Sequence, residues 1–124
     1  ETAIINQRIA EKMKNKVFDL TGKIQIGELA ELLSRVKLFI SNDSGPVHVA
    51  VAKGVPVISI FGRKDPGLSP KRWGPLGEHD RVLHKDPGCP LCLAHDCKND
   101  FKCLKAITKE DVAAAAEELL NKDA

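Results

Sequence analysis

The segment from Asn42 to His48 combines residue types that bind anions. It reads Asn-Asp-Ser-Gly-Pro-Val-His, follows an apolar strand pattern and opens a helix. Such turns lie at the carboxyl edge of a parallel sheet, where open α/β folds bind ligands. The first N–H groups of a helix lack intrahelical partners and, with the helix dipole, favour a phosphate. We expect Gly45 to let a phosphate approach the backbone, Ser44 to donate its hydroxyl, and His48 to reach the same anion.

Asp43 is the unusual member of this turn, because its carboxylate would repel a phosphate. Its predicted role is to accept hydrogen bonds from sugar hydroxyls or to hold the N–H groups of the turn. A purely structural interpretation stays open at this point. In that interpretation Asp43 and Ser44 cap the helix, Gly45 turns the chain, and His48 is a core histidine whose hydrogen bonds are satisfied.

Four cysteines within fifteen positions form a second candidate site. Cys89, Cys92, Cys97 and Cys103 match the number of thiolates in one structural zinc site, the first pair has ligand spacing, and His95 is an alternative fourth ligand. Reduced thiols, which can oxidise in a purified sample, are a second interpretation, and a redox role is a third. In each case we expect the Cys-rich loop at residues 89–103 to be structural rather than catalytic.

The elements that must position these residues follow from alternating strand and helix patterns. The predicted elements are a helix ending near residue 13, a strand at 17–20, a helix over 26–36, a strand at 37–41, a helix over 46–53, a strand at 55–61, a loop over 63–79, a strand at 81–84 and a closing helix from near residue 108. Short connections and almost wholly apolar strands predict a parallel sheet with right-handed crossover connections, covered by helices.

Composition bounds the class of protein. The chain has 124 residues, of which 43% are hydrophobic, enough for one sizeable core. Nineteen basic and seventeen acidic residues are scattered along it, and with four Phe, one Trp and no Tyr they do not favour nucleic-acid binding. No run of about 18 apolar residues predicts a membrane span. The absence of an initial Met predicts that the chain begins inside a longer protein.

The stretch from Ser41 to Gly62 closely resembles the signature of the ADP-heptose:lipopolysaccharide heptosyltransferase family. That family has S/T-N-D-S/T-G-x-x-H-x-A-A-A followed by g-x-P-x-x-x-x-F/Y-G, and the stretch here reads SNDSGPVHVAVAKGVPVISIFG. Residues 20–29 look like the family's L-x-G-x-x-x-L/I-x-E-L segment, and the cysteines with residues 106–112 look like its I-T-P-E-x-V ending.

Two positions depart from the family pattern. Val51 replaces the middle alanine of the A-A-A run, which we interpret as a packing change. Gly-Arg-Lys-Asp-Pro at 62–66 replaces the commoner G-P-T-x-P. The second change adds two cations, which either meet a phosphate in the cleft or belong to a solvated loop.

The resemblance implies an α/β fold with a Rossmann-like parallel sheet and helices on both faces. It implies that residues 1–124 are one nucleotide-sugar-binding domain, the C-terminal half of a two-domain GT-B glycosyltransferase. The resemblance implies that four residues contact the donor's diphosphate and sugar: Asp43, Ser44, Gly45 and His48. It also implies that a backbone group of Ile24 contacts the adenine and that Glu1 contacts the ribose.

The implied reaction transfers heptose or a related sugar from ADP to a hydroxyl of the lipopolysaccharide core, with no metal required. The catalytic base and the acceptor site are expected in the missing N-terminal domain, so this chain alone is expected to be inactive. We expect a cytoplasmic enzyme, with the inner face of the inner membrane as one place of action.

Two alternatives remain at the level of sequence. One is a non-catalytic α/β scaffold whose zinc-knuckle loop recognises a partner. The other is a different GT-B relative, such as a nucleotide-sugar epimerase, whose turn would carry different acidic residues. The length of the match from Asp43 to Gly62 favours the glycosyltransferase.

Overall fold

The computed structural model describes residues 2–42, 44–62, 77–85, 88, 97 and 100–121. These residues form five helices and three strands. In chain order the elements are α1 (Thr2–Lys12), α2 (Ile26–Leu33), β1 (Phe39–Asn42), α3 (Gly45–Ala52), β2 (Val57–Phe61), β3 (Arg81–His84), α4 (Lys102–Lys105) and α5 (Lys109–Asn121).

The three strands form a parallel sheet in the order β1-β2-β3. Phe39 pairs with Val57, and Ile58 pairs with Arg81, so each strand starts at the same end of the sheet. All three carboxyl ends therefore meet at one edge. The predicted strand at 81–84 is confirmed residue for residue. The strands at 37–41 and 55–61 are confirmed with starts two residues later, and β1 also ends one residue later, at Asn42.

Helices cover both faces of the sheet, as the family resemblance implies. Val57 is fully buried with Leu33 of α2 and Val47 of α3 on one face. Its neighbour Ile58 is equally buried on the opposite face, where Leu119 of α5 packs against it. Successive side chains of a strand point to opposite faces, so β2 contributes to two cores and needs apolar residues at nearly every position.

The N-terminus of α5 is held by a capping box. The Thr108 amide donates to Asp111 Oδ2 (2.9 Å), and the Asp111 amide donates to Thr108 Oγ1 (3.1 Å). Lys85, directly after β3, donates to the same carboxylate at 2.8 Å. The Lys85 ammonium, followed by the Thr108 amide, lowers the pKa of Asp111 to about 2. This cluster ties the last helix to the end of the last described strand.

A second carboxylate joins β2 to the segment before β3. Asp80 Oδ1 accepts a hydrogen bond from the amide of Val57 at 2.9 Å, and its Oδ2 accepts one from the amide of Gly77 at 2.7 Å. Val57 is the first residue of β2 and is completely buried. The side chain of Asp80 thus satisfies a buried backbone donor where the strand begins.

The predicted strand at 17–20 is wrong for this structure. In the described part of the chain no strand pairs with it, and the turn that follows is present, with Gly22 at φ +69° and the Lys23 amide donating to the Leu20 carbonyl. A strand requires a hydrogen-bonded neighbour, which this segment lacks here. Phe18 is therefore 72% exposed, and apolar side chains of α1 share this exposure. They are Ile4, Ile5, Ile9 and, just beyond the helix, Met13.

Helix α4 was not predicted, and the predicted loop over 63–79 lies outside the described residues except for 77–79. None of the helices in the described part is long and apolar enough to span a bilayer.

Candidate functional site

The candidate site is the turn that connects β1 to α3 at the carboxyl edge of the sheet. Asn42 ends β1 beside Ile60 of β2, and α3 begins at Gly45, with Pro46 in its first turn. Proline suits this place because its missing N–H would have no intrahelical partner. The strand-to-helix turn predicted from the sequence is therefore present, with α3 starting one residue earlier than predicted.

Ser44 is the N-cap residue of α3, with an extended backbone at φ −155° and ψ 163°. Within the described residues its hydroxyl makes no capping hydrogen bond to the helix. Instead, Ser44 Oγ lies 3.0 Å from Ser41 Oγ on β1. The cap side chain thus occupies none of the helix amides. Pro46 has no N–H and the Val47 amide donates to the Ser44 carbonyl at 3.2 Å, so the Gly45 amide is the first-turn donor that can turn to an anion.

His48 lies four residues after Ser44, so the two side chains share one face of the helix. The His48 side chain is exposed, in the first turn of α3. Gly45 is also exposed, and a Cβ placed there would meet no atom of the described residues within 4 Å. The structure thus brings Ser44, Gly45 and His48 together around open space at the helix N-terminus. Asp43 and Glu1 lie outside the described residues, and their roles stay predictions.

Ile24 lies in a separate cleft between the segment before α2 and α2 itself. The cleft has a volume of about 520 Å³. Leu20, Ile24 and Leu32 contribute apolar lining, whereas the rim carries Glu31 and Arg35, which form an ion pair at 2.8 Å. An apolar cleft with a polar rim can accept a flat ring such as a nucleobase. Helices α2 and α3 pack against each other, so this cleft and the turn belong to neighbouring elements.

Only part of the cysteine cluster lies in the described residues. Cys97 and Cys103 are half-buried free thiols, and the Phe101 amide donates to Cys97 Sγ at 3.2 Å. Asp100 and Phe101 both have left-handed backbones, at φ 55° and 53°. A Cβ built on Gly62, just after β2, would lie 3.3 Å from Cys103 Sγ. The end of this segment therefore contacts the carboxyl edge of the sheet.

The zinc ligand set stays a prediction. Cys89, Cys92 and the alternative ligand His95 lie outside the described residues. Among the residues that are described, no group of three or more His, Cys, Asp or Glu side chains is placed to hold a metal ion.

Sequence reasoning missed Ser59. Its side chain is completely buried on β2, directly opposite Ser41 in the register of the sheet. The signal was present, because a serine interrupts the otherwise apolar run Val-Ile-Ser-Ile-Phe at 57–61. Only the strand register shows that this serine stands beside the turn.

The chain resembles proteins of one glycosyltransferase family. Residues 1–102 match the family described as glycosyltransferase family 9 (heptosyltransferase). Lipopolysaccharide heptosyltransferase 3 of Escherichia coli is 37% identical over 105 residues, which cover 85% of this chain and 29% of that protein. Lipooligosaccharide heptosyltransferase 2 of Campylobacter jejuni is 33% identical over 115 residues, covering 91% of this chain and 35% of that protein.

A solved structure shows the same fold. The crystal structure of a family 9 glycosyl transferase from Veillonella parvula superposes with a TM-score of 0.74 and 33% identity, covering 96% of this chain and 33% of that chain. The chain thus spans about a third of the length of the relatives it matches.

Proposed function

The chain belongs to glycosyltransferase family 9, the heptosyltransferases, and from that premise we propose that it is the donor-binding, C-terminal half of a two-domain GT-B enzyme. The proposed reaction transfers heptose or a related sugar from an ADP-sugar to the lipopolysaccharide core. The single observation that carries the proposal is the β1–α3 turn, which places half-buried Ser44 beside exposed Gly45 and His48 at the N-terminus of a helix. The names of the relatives support the sugar and the acceptor.

The turn is suited to stabilising a leaving diphosphate. Negative charge grows on the diphosphate as the bond to the sugar breaks. In this proposal the Gly45 amide, the Ser44 hydroxyl and the His48 imidazole donate to its oxygens, the dipole of α3 favours its charge, and the absence of a side chain at Gly45 lets the phosphates approach. Asp43 accepts hydrogen bonds from the sugar hydroxyls. Because protein groups donate to the diphosphate, the proposal requires no metal ion there.

The nucleoside end of the donor occupies the cleft next to α2. A backbone group of Ile24 contacts the adenine, whose faces are covered by Leu20 and Leu32, and Glu1 contacts the ribose. The catalytic base and the acceptor site belong to the N-terminal domain, which must close over the donor. We therefore infer that this chain alone binds the nucleotide without transferring sugar, and that the complete enzyme works in the cytoplasm, where ADP-sugars are available.

Family membership supports this function over a non-catalytic scaffold with a partner-binding loop. Within the same proposal the cysteine segment is structural, because Cys103 packs against Gly62 directly after β2.

Isothermal titration of the chain with ADP tests the proposal. We expect saturable binding, and we expect His48→Ala to weaken it about tenfold, since a hydrogen bond to a charged group is worth about 1.5 kcal/mol or more. His79→Ala removes another exposed imidazole, far from the turn in sequence, and is the matched control that should bind normally. A folded chain that shows no saturable binding of ADP would contradict the proposal.

A further inference from the structure

The Ser59 hydroxyl is a buried polar group without a hydrogen bond. Its residue is 0% exposed, and Ser59 Oγ has no partner in the described part of the chain. Buried hydroxyls in folded proteins almost always have a partner, so each exception requires an explanation. The mechanism proposed above gives Ser59 no role.

Ser59 is the first member of a row of three serines that leads from the core to the helix N-terminus. Ser41 is its register partner on β1, and partners on neighbouring parallel strands point to the same face, about 5 Å apart. Two serines at this separation can turn their hydroxyls into hydrogen-bonding contact. Ser41 Oγ instead lies 3.0 Å from Ser44 Oγ, the third member of the row. Because Ser41 donates its one proton to Asn42 Oδ1 at 3.4 Å, Ser44 is the donor to Ser41.

In the ligand-free protein the Ser44 hydroxyl, which a bound anion would require, is already hydrogen-bonded. Ser44 pairs with Ser41, and its side chain makes no capping bond to the described residues of α3. An anion bound at α3 would draw the single O–H donor of Ser44 toward itself. Ser41 Oγ would then keep its bond to Asn42 but lose the proton it accepts from Ser44, at a cost that opposes binding unless another hydroxyl donated in its place.

We propose that Ser59 is a positioning residue whose hydroxyl replaces that of Ser44 as the hydrogen-bond partner of Ser41 when Ser44 turns to a bound diphosphate. In the ligand-free protein Ser41 pairs with Ser44, and the Ser59 hydroxyl has no hydrogen bond within the described residues. In the bound state Ser44 donates to a phosphate oxygen, Ser41 rotates toward β2, and Ser59 gains the partner it lacks. The hydrogen bond formed between the strands offsets the one given up at the turn. This inference rests on the proposed function, because it places the diphosphate at α3.

The proposal predicts that Ser59→Ala weakens the binding of ADP without lowering the melting temperature of the ligand-free chain. Ser59→Ala removes no hydrogen bond from the ligand-free protein, so its melting temperature should stay within about 1 °C or rise. The bound state of the variant leaves Ser41 Oγ without a donor, so ADP should bind about three- to tenfold more weakly, the equivalent of one neutral hydrogen bond. A merely structural serine would shift the melting temperature and leave the affinity unchanged.

The experiment is a double-mutant cycle on the chain, with ADP titration and thermal unfolding of Ser59→Ala, Ser41→Ala and the double variant. Because the two serines act as a pair, the double variant should bind ADP no more weakly than Ser41→Ala alone. Ser34→Ala is the matched control. It removes an exposed hydroxyl that bonds only within α2 at 2.6 Å, and it should not change the affinity.

The outcomes separate the two claims. If ADP binds and depends on His48, but Ser59→Ala binds it as tightly as the unsubstituted chain, the role of Ser59 is refuted and the proposed function stands. Additive losses in the double variant, or a melting temperature lowered by several degrees in Ser59→Ala, also refute it. If the folded, unsubstituted chain binds no ADP, the proposed function fails and this inference fails with it.

Discussion

Removing the Asp80 carboxylate should destabilise the chain by an amount that can be worked from its two hydrogen bonds. Val57 is fully buried at the start of β2, and Asp80→Ala leaves its amide without the acceptor that now lies at 2.9 Å. An unsatisfied buried donor costs about 1–3 kcal/mol. The Gly77 amide is exposed, so water can replace its lost bond at little cost. We therefore expect a loss of about 2 kcal/mol.

Thermal unfolding followed by circular dichroism measures this loss. For a chain of this size about 1 kcal/mol corresponds to roughly 4 °C, so Asp80→Ala should melt about 8 °C lower. Asp80→Asn keeps one acceptor oxygen for Val57 and should lose less than half as much. Glu78→Ala removes an exposed carboxylate two residues away and should stay within about 0.5 kcal/mol of the unsubstituted chain.

The reasoning depends on the difference between a buried and an exposed amide. It is refuted if Asp80→Ala melts together with Glu78→Ala. An Asp80→Asn variant as unstable as Asp80→Ala would show that the negative charge, rather than the acceptor for Val57, matters.

Two further predictions concern Asp111, at the start of α5, and Gly62, directly after β2. Because the folded-state pKa of Asp111 is about 2, below its unfolded value, its stabilising effect is complete above the unfolded pKa and is lost as the pH falls toward 2. The melting temperatures of the unsubstituted chain and of Asp111→Asn should therefore differ at pH 7 and converge near pH 2; a constant difference would argue against the cluster with Lys85. Gly62→Ala should cost about 1–3 kcal/mol in urea unfolding, because its Cβ would lie 2.9 Å from Leu104 Cγ and Cδ2. Shortening the neighbour with Leu104→Ala should remove most of the additional cost of the methyl group, and no relief in that double variant would show that the contact is not its source.

The elements predicted best are those whose pattern is local. The turn into α3 follows from an apolar strand, a glycine and a proline, and the strand at 81–84 from the pair Val82-Leu83 between polar residues; the structure confirms both. The strand predicted at 17–20 has an equally apolar pattern, but a strand forms only where a neighbour donates and accepts hydrogen bonds. Nothing in the residues themselves indicates whether that neighbour is present.

The site shows the same division between local and long-range information. Ser44, Gly45 and His48 are close in sequence, so a single turn and one helical period place them together. Ser59 stands beside the turn only because β2 pairs with β1 in one register, and a shift of one residue would move it to the other face. Helix α4 likewise lies against Gly62, which is about forty residues earlier in the chain.

The exposed isoleucines of α1, together with Phe18, have a practical consequence for solution work. Water-facing apolar side chains grouped in this way promote contacts between molecules as the protein is concentrated. Scattering and sedimentation of this chain should therefore vary with concentration, and nucleotide affinities are best measured on dilute samples, where self-association does not compete with the ligand.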